Sequence, residues 1–559
     1  MSLMTLATSM DALHNRIDLH NIPFSERGSR LLVFRRDDTL YIRLAERWVK
    51  QEKILGHYRQ RVPIIDALTF FDQSGQPMPL TADTWPDRVD LHTPSGTFTL
   101  AFQDTETLMI RLPAGVFGIH FNALCDSGAI DRRGGVLHGV RSVAYTTNAH
   151  FLENMLDTTG DKLQQVTLKL EAQEDDVLLI NITPRLGFIR AIPDPDIILA
   201  EAHARWSDWF ASVPPVLDEY REQYLYAWWV MRAGLLSPRF YFTREAMAPS
   251  KVHYVGVWHW DQFFHAIAYR NVDTRLAEDQ IRILLDHQQP NGMIPDAIHD
   301  EGLVTHLQEP VDADVTKPPL VAWTALKLYH VSGHRDCLEE VFEPLTRWHK
   351  WWFTENASTD APGLCVYRHP YSSGLDDNPL WDQGMPVTAP DLNTYLWLQA
   401  RSLARIADVI GLDAQARRFN EQADVIAAAM LKYLWDEESG LFTALYNGER
   451  VRVKTPFSLI PLWIDTNPFE VTSRLLDHLM NPDEFWTRYP LPTVAVDDPQ
   501  FDPQQMWRGP TWVNINFLFI EALKHIGQHA IADELRTRTL DLLNQHRDMY
   551  EYYHPITGE

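Results

Sequence analysis

The sequence predicts an α+β protein of several domains, with an N-terminal β-sandwich followed by a helical domain. Two observations predict this class: short strand-like segments fill the first part of the chain, and the apolar period then lengthens to that of helices. The chain has 559 residues, which is long enough for two or three domains. We expect the sandwich at 1–195, a linker with a connecting helix at 196–216, and the helical domain at 217–559.

The N-terminal region consists of short segments that alternate in polarity or are rich in β-branched and aromatic residues. Examples are RLLVFRR, TLYIRLA, GTFTLAF, TLMIRLPAGVFGIHF and DVLLINITP. Turn sequences such as DQSGQP, TPSG and DRRGG separate them. This pattern is typical of an antiparallel β-sandwich. The following stretch, AIPDPDIILAEAHARWSDWFASVPPV, indicates the connecting helix.

The C-terminal region has helical periodicity. In PDLNTYLWLQARSLARIADVIGL the apolar residues recur at steps of four and three: Leu396, Ala400, Leu403, Ala407 and Ile410. Gly411 is placed to end this helix. Some segments are apolar nearly all round and others have a polar face, as expected when inner and outer helices alternate in an α/α barrel. A plain bundle or a helical repeat array also fits, although no fixed sequence period is present.

Composition and charge exclude several classes of function. The formal net charge of −25 argues against nucleic acid or an anionic membrane surface as partner. Three scattered cysteines (Cys125, Cys337 and Cys365) form neither a disulfide framework nor a metal cluster. No secretory signal or membrane-spanning stretch is evident, so we expect a cytoplasmic protein. Its oligomeric state is not predictable from these features.

The residues that could perform chemistry are carboxylates among aromatic side chains. Phosphate-binding glycine loops, HExxH, a serine nucleophile elbow and a reactive-thiol signature are missing from the sequence. Nineteen tryptophans offer broad apolar faces for sugar rings. Two carboxyl groups suffice to cleave a glycosidic bond. We therefore expect a carbohydrate substrate with no cofactor and no catalytic metal; a structural calcium stays open, without EF-hand spacing to support it.

Four loop segments and the C-terminal segment hold the candidate site: HYVGVWHWDQFFH, HQQPNGMIPD, HPYSSGLDDNPLWDQG, MWRGPTWVNINF and YEYYHPITGE. Their candidate residues are Tyr254, Trp258, Trp260, Asp261, Gln289, Asp376, Asp377, Trp381, Trp507, Arg508, Trp512 and Glu551. Asp376 and Asp377 could instead belong to an Asx-turn before proline. The tryptophans could be core residues. Arg508 could form a structural ion pair or bind a sugar hydroxyl or a substrate carboxylate.

These motifs resemble glycoside hydrolase family 63 and its relatives, which include mannosylglycerate and glucosylglycerate hydrolases and, more distantly, trehalase. Seven segments match in order: WHWD, QQPNGMIPD, TKPPLVAW, SSGLDDNPLWD, YPLPTVAVDDP, WRGPTW and YEYYHPITGE. The resemblance implies an (α/α)6 barrel and an inverting α-glycosidase. It places the general acid at Asp376 and the base at Glu551, and Asp377 at a position that binds sugar or shapes the turn.

An inverting mechanism requires space for a water molecule, so we expect the carboxyl groups of Asp376 and Glu551 to lie roughly 6.5–9.5 Å apart. In relatives a further helix follows the TGE sequence, whereas this sequence stops at Glu559. We therefore expect Glu551 to lie near a chain end that can fray.

The predicted activity is hydrolysis of an α-glucoside or α-mannoside, such as a short oligosaccharide, a disaccharide or a glycosyl-glycerate. Two alternatives remain at this point. A glycoside phosphorylase on the same barrel would consume phosphate and would not need Glu551. A non-catalytic carbohydrate-binding protein would keep the aromatic residues and have no turnover.

Overall fold

The computed structural model describes residues 9–46, 62–160, 162–184 and 187–559. The chain divides into two compact units. The first comprises Met1–Arg239 and Glu245–Gly256, and the second comprises Phe240–Arg244 and Val257–Glu559. The sequence-based domain bounds stay predictions.

The first unit contains most of the β-structure. Its strands are β1 (Leu31–Arg36), β2 (Thr39–Leu44), β3 (Ile65–Phe71), β4 (Thr81–Thr84), β5 (Val89–Thr93), β6 (Gly96–Asp104), β7 (Thr107–Arg111), β8 (Gly115–Ala123), β9 (Ser127–Asp131), β10 (Gly134–His138), β11 (Ser142–Thr147), β12 (His150–Thr158), β13 (Gln164–Ala172), β14 (Val177–Thr183), β15 (Leu235–Leu236) and β16 (Ala246–Met247). Its helices are α1 (Pro195–Ser212) and α2 (Arg221–Ala233).

Two antiparallel sheets form the core of this unit. Their strand orders are β1-β2-β3-β8-β13-β12 and β4-β5-β6-β7-β14-β11-β10-β9. Phe98 of β6 joins the sheets, because its ring lies 4.3 Å from that of Phe70 on β3 and 5.0 Å from that of Phe117 on β8. Strand β13 alternates between buried and partly buried residues, as a strand with one face on the core should. The predicted sheet-rich N-terminal region is confirmed.

Helix α1 begins where the sequence provides standard start signals. The Asp194 carboxylate accepts a hydrogen bond from the Asp196 backbone N–H, and Pro195 occupies the first helical position. Ile198 of α1 packs in one buried cluster with Met109 and Val177 of the second sheet. The segment predicted as a connecting helix is thus a helix that covers part of the sheet.

The second unit is mainly helical. Its helices are α3 (His259–Tyr269), α4 (Thr274–Leu285), α5 (Val321–Ser332), α6 (Arg335–Glu355), α7 (Pro390–Ile410), α8 (Asp413–Tyr433), α9 (Phe469–Leu479), α10 (Val513–His525) and α11 (His529–Asn544). Its short strands are β17 (Val257–Trp258), β18 (Ala297–His299), β19 (Gly302–Val304), β20 (His306–Leu307), β21 (Ala313–Asp314), β22 (Trp435–Asp436), β23 (Leu441–Phe442), β24 (Ala444–Tyr446) and β25 (Glu449–Val451).

Two sequence predictions about this unit are confirmed. Helix α7 ends at Ile410, and Gly411 adopts the left-handed conformation with φ of 83°, which glycine reaches without steric cost. The helical domain follows the sheet-rich region, as expected. Among the helices that the structure describes, none is both long and apolar enough to cross a membrane.

Helix α7 carries a buried carboxyl group in its first turn. The side chain of Asp391 is fully buried, and its Oδ2 accepts a hydrogen bond of 3.0 Å from the Tyr367 hydroxyl. No donor among the described residues reaches its Oδ1. Burial raises the pKa of Asp391 from 3.8 to about 7, although the Tyr367 hydrogen bond lowers it. A carboxyl in this setting therefore keeps its proton in the folded protein up to about pH 7.

We expect Asp391→Asn to remove a pH-dependent loss of stability. The folded state keeps the Asp391 proton up to about pH 7, whereas the unfolded chain releases it above about pH 3.8. Stability should therefore fall with rising pH across that window, by at most about 1.4 kcal/mol per pH unit. Asparagine retains an acceptor for Tyr367 and does not titrate. Thermal unfolding at pH 5 and pH 8 should show a smaller drop in Tm for Asp391→Asn than for the wild type, while exposed Asp408→Asn on the same helix should behave as the wild type. Equal drops for the wild type and Asp391→Asn would contradict this account.

Candidate active site

The turn that carries Asp376 is shaped by Gly374. This glycine adopts φ of 79°, and a Cβ atom added to it would lie 2.7 Å from the ring of Trp260. Only glycine satisfies both the backbone conformation and this close approach. Trp260 lies in the first turn of α3, one residue before Asp261. Gly374 therefore lets α3 pack directly against the turn that carries the two aspartates.

Asn378, rather than either aspartate, forms the Asx-turn before the proline. Its Oδ1 accepts a hydrogen bond of 3.1 Å from the Leu380 backbone N–H at the start of a 3-10 turn. Its Nδ2 donates to the Trp507 carbonyl oxygen at 2.8 Å. Asp377 accepts a hydrogen bond of 2.9 Å at its Oδ1 from the Trp507 backbone N–H. Asp377 and Asn378 together join the aspartate turn to the WRGPTW loop, and Asp376 stays outside both contacts.

Asp376 is partly buried, and its surroundings favour the protonated form. No donor among the described residues reaches its buried Oδ1. Burial raises the pKa of Asp376 from 3.8 to about 6; the charge of Lys317 lowers it, and those of Asp296, Asp377 and Glu551 raise it further. With a pKa of about 6, this carboxyl keeps its proton up to about that pH, so it can act as a general acid on the acidic side of neutral.

A buried ion pair lies beside this turn. The Nζ of Lys317 lies 3.0 Å from Oδ1 of Asp296, and both side chains are buried. The pairing of β17 with β18 places Asp296 next to α3, where its carbonyl oxygen accepts a hydrogen bond of 2.9 Å from the His259 backbone N–H. Burial raises the pKa of Asp261 to about 7; Lys317 opposes the rise, and the charges of Asp296 and Glu551 add to it.

Four aromatic rings form a continuous row across the site segments. The Trp260 ring lies 6.0 Å from that of Trp507, which stacks on Trp512 at 3.7 Å and 10°. Trp512 lies 5.3 Å from Tyr552, the residue after Glu551. Trp507 and Trp512 are both buried. They therefore pack against the neighbouring rings and leave little of their own surface for a sugar. The row links α3, the WRGPTW loop and the C-terminal segment.

The C-terminal segment that carries Glu551 is held by backbone hydrogen bonds. Thr511 and Tyr553 exchange two of them, at 2.8 and 3.0 Å, and the Tyr489 N–H donates to the Pro555 carbonyl at 2.9 Å. Tyr553 is fully buried, and its hydroxyl accepts a hydrogen bond from the Tyr550 N–H. The expectation that this segment frays is therefore wrong, because it is paired with the loop before α10. Glu551 is itself exposed, and its charge acts on both Asp376 and Asp261.

Arg508 forms the ion pair that the sequence left as one of two possibilities. Its guanidinium contacts both carboxylate oxygens of Asp382, with Nη1–Oδ2 of 3.0 Å and Nη2–Oδ1 of 2.5 Å. Asp382 lies at the far end of the aspartate turn, so this pair is a third connection between the turn and the WRGPTW loop. Substrate binding by Arg508 stays a prediction.

The remaining candidates have local contacts of their own. Trp381 is buried, and its indole N–H donates to the Leu375 carbonyl at 2.8 Å, so it supports the turn from within. Trp258 packs edge-on against His299. The Gln289 amide donates to the His287 carbonyl at 2.9 Å. Tyr254 lies in the first unit and is 37% exposed. The sugar-binding roles of these four residues stay predictions.

Asp296 and Lys317 are the site residues that the sequence analysis did not single out. Both lie within segments it had quoted, QQPNGMIPD and TKPPLVAW. In the sequence, a single aspartate before a strand and a single lysine before two prolines indicate no function. Asp296 and Lys317 become candidates for the site only because they are buried together as an ion pair. Across the described ranges, no group of three or more His, Cys, Asp or Glu side chains is arranged to hold a metal ion.

Comparison with known proteins assigns a family to the helical part of the chain. Residues 254–559 match the model of the mannosylglycerate hydrolase MGH1-like glycoside hydrolase domain. A mannosylglycerate hydrolase of Thermus thermophilus is 27% identical over 386 residues, which is 56% of this chain and 91% of that protein. A glucosylglycerate hydrolase of Mycolicibacterium hassiacum is 21% identical over 398 residues, 55% of this chain and 88% of that protein.

Two solved structures share the fold. A family 63 mannosylglycerate hydrolase from Thermus thermophilus, in complex with glucose, has a TM-score of 0.51 and 24% identity over 58% of this chain and 92% of that one. A bacterial glucoamylase in complex with acarbose has a TM-score of 0.56 and 10% identity over 96% of this chain and 90% of that one. The family match covers more than half of the chain and supports an enzyme rather than a non-catalytic binding protein. The chain belongs to the mannosylglycerate hydrolase MGH1-like family of glycoside hydrolases, a branch of glycoside hydrolase family 63.

Proposed function

We propose that this protein hydrolyses the α-glycosidic bond of a short glycosyl-glycerate with inversion at the anomeric carbon, on an (α/α)6 barrel. The names of its relatives support a glycosyl-glycerate as substrate, and the fold of its structural neighbours supports the barrel. One observation carries the mechanism. Asp376 has a pKa of about 6, its buried Oδ1 receives no hydrogen bond from the part of the chain that the structure describes, and the charge of Glu551 on a separate segment acts on it.

In this mechanism Asp376 donates its proton to the glycosidic oxygen as the bond to the anomeric carbon breaks. A water molecule attacks that carbon from the opposite face and gives its proton to Glu551. The products are free glycerate and a sugar of inverted, β configuration. Glu551 then holds the proton and Asp376 has lost one, so exchange with solvent restores both groups. The two carboxyl groups are expected to lie roughly 6.5–9.5 Å apart, leaving space for the water.

The remaining residues position these two groups. Asp377, Asn378 and the Arg508–Asp382 pair fix the aspartate turn against the WRGPTW loop, and Gly374 fixes it against α3. Trp260 and Tyr552 lie at the two ends of the aromatic row and offer faces for the sugar ring. Asp261, partly buried and with a raised pKa, supplies a polar group that a sugar hydroxyl would bond.

We expect the first sugar released from α-mannosyl-glycerate or α-glucosyl-glycerate to be the β anomer. Proton NMR during the first minutes, before mutarotation, separates the anomers directly. The reaction should proceed equally in phosphate-free buffer, because water rather than phosphate attacks. Initial release of the α anomer would contradict inversion. Formation of a sugar phosphate with a requirement for phosphate would instead identify a phosphorylase.

A further inference from the structure

Thr316 and Lys317 bridge two segments of the site. The Thr316 hydroxyl donates to the Ile294 carbonyl at 2.6 Å, and the Thr316 N–H donates to the Ser372 hydroxyl at 3.2 Å. Lys317 repeats this arrangement one residue further on. Its Nζ contacts Asp296 at 3.0 Å and donates to the Tyr371 carbonyl at 2.6 Å. The dipeptide therefore ties the Asp296 loop to the 3-10 turn (Pro370–Ser373) that leads into Asp376.

Lys317 retains its charge in this buried position. Burial alone lowers the pKa of Lys317, but the charge and hydrogen bond of Asp296, with the charges of Asp376 and Asp261 when these are ionised, outweigh burial and leave it above the ordinary value. A buried ammonium without such partners would lose its proton instead. The lysine and the carboxyl groups around it thus depend on each other for their protonation states.

The groups that act electrostatically on Asp376, or respond to it, come from four parts of the second unit. They are Asp296, Lys317, Asp377, Tyr371 and Glu551. Asp296, Asp377 and Glu551 are carboxylates that raise the pKa of Asp376. Tyr371 responds to Asp376 with a raised pKa of its own and stays neutral near pH 7. Lys317 is thus the positive charge of this set and opposes the carboxylates.

We propose that Lys317 is a positioning residue for the proton donor: its ammonium group fixes the Asp376 turn to the Asp296 loop and sets the charge balance of the carboxylate cluster. This proposal rests on the proposed function, because it assigns Lys317 a role in the proton donation by Asp376. The Lys317 ammonium group makes two contributions, its hydrogen bonds and its charge, and different substitutions remove them.

Three variants separate these contributions. Lys317→Gln loses the charge and keeps an amide donor for Asp296 or the Tyr371 carbonyl. Lys317→Met loses both the charge and the donors, and Lys317→Arg keeps the charge. Lys251→Gln controls for the loss of a buried lysine side chain, because Lys251 is likewise buried and donates to the Ser29 carbonyl at 2.6 Å but belongs to the first unit. Unlike Lys317, it has a pKa that burial lowers well below the ordinary value.

We expect the alkaline limb of kcat/KM to move to higher pH in Lys317→Gln and Lys317→Met. In the wild type this limb should fall as pH rises through the Asp376 pKa of about 6. Removing the positive charge that lowers the pKa of Asp376 should shift this limb upward by about one pH unit or more. Lys317→Arg should restore the limb while kcat stays about tenfold below the wild type, because a guanidinium fits the space differently. Lys251→Gln should keep the wild-type pH profile.

The titration of Asp376 can also be followed without turnover. Difference infrared spectra of protein labelled with carboxyl-¹³C aspartate, compared with those of Asp376→Asn, assign the Asp376 band. That band should titrate at higher pH in Lys317→Gln than in the wild type. An unchanged titration in folded Lys317→Gln would overturn the role of Lys317. Failure of the wild type to cleave any glycosyl-glycerate would overturn the proposed function instead, and the infrared result would still decide the electrostatic role of the lysine.

Discussion

Replacing Asp376 with asparagine should lower kcat on an α-glycosyl-glycerate by about 10³-fold, within the range of about 10²–10⁴ that general acid catalysis contributes. Asparagine occupies the same space but has no proton to give to the leaving oxygen. The rate on the corresponding α-glycosyl fluoride should fall far less, because fluoride leaves without strong protonation. Steady-state kinetics on both substrates measure the difference.

Asp377→Asn is the matched control for this experiment. The substitution is chemically identical and lies one residue along the chain. Its Oδ1 can still accept the hydrogen bond from the Trp507 N–H, so the loop connection survives and kcat should fall by no more than about tenfold. Equal losses on the glycerate and fluoride substrates in Asp376→Asn would show that Asp376 does not act as the acid. A larger loss in Asp377→Asn than in Asp376→Asn would exchange the roles of the two aspartates.

Replacing Glu551 with alanine should also lower hydrolysis by about 10³-fold, since no group then accepts the proton from the attacking water. Azide needs no base and is small enough to enter the space left by the carboxylate. Added azide should therefore restore substrate consumption and form a β-glycosyl azide from the α-linked substrate. Product NMR identifies the anomeric configuration.

Glu559→Ala provides a control in the same C-terminal segment. Its backbone contact with His554 does not involve the side chain, so activity should remain at the wild-type level. An α-configured azide from Glu551→Ala would indicate a retaining mechanism. Full hydrolytic activity in Glu551→Ala would move the base to another residue, for which partly buried Asp261 would be the first candidate.

The sequence predicted the order of structural elements because that information is local. In the strand segments of the first unit, apolar and polar residues alternate within a few neighbouring positions. Gly411 marks the end of α7 at the residue expected. The family resemblance likewise rested on contiguous motifs, and the family match over 254–559 confirms it. Such signals do not depend on which parts of the chain meet in space.

The site was less predictable, since its residues take their roles from distant partners. The sequence left Asp377 between sugar binding and turn structure, and the structure shows its carboxylate bonded to a backbone N–H 130 residues away. The sequence left Arg508 between an ion pair and a substrate ligand, and the structure shows the carboxylate of Asp382 opposite its guanidinium. The position of Glu551 near the last residue suggested fraying, which the pairing of Thr511 with Tyr553 prevents.

The sequence by itself determined the order of the sheet-rich and helical regions and the family of the protein, because motifs and periodicities are properties of neighbouring residues. The two carboxylates that it assigns to catalysis stay predictions. Only the tertiary structure decided which charges act on Asp376, and in particular that a buried lysine and a buried aspartate accompany it. Desolvation and Coulomb interactions depend on distance through space, and no spacing along the chain records that distance.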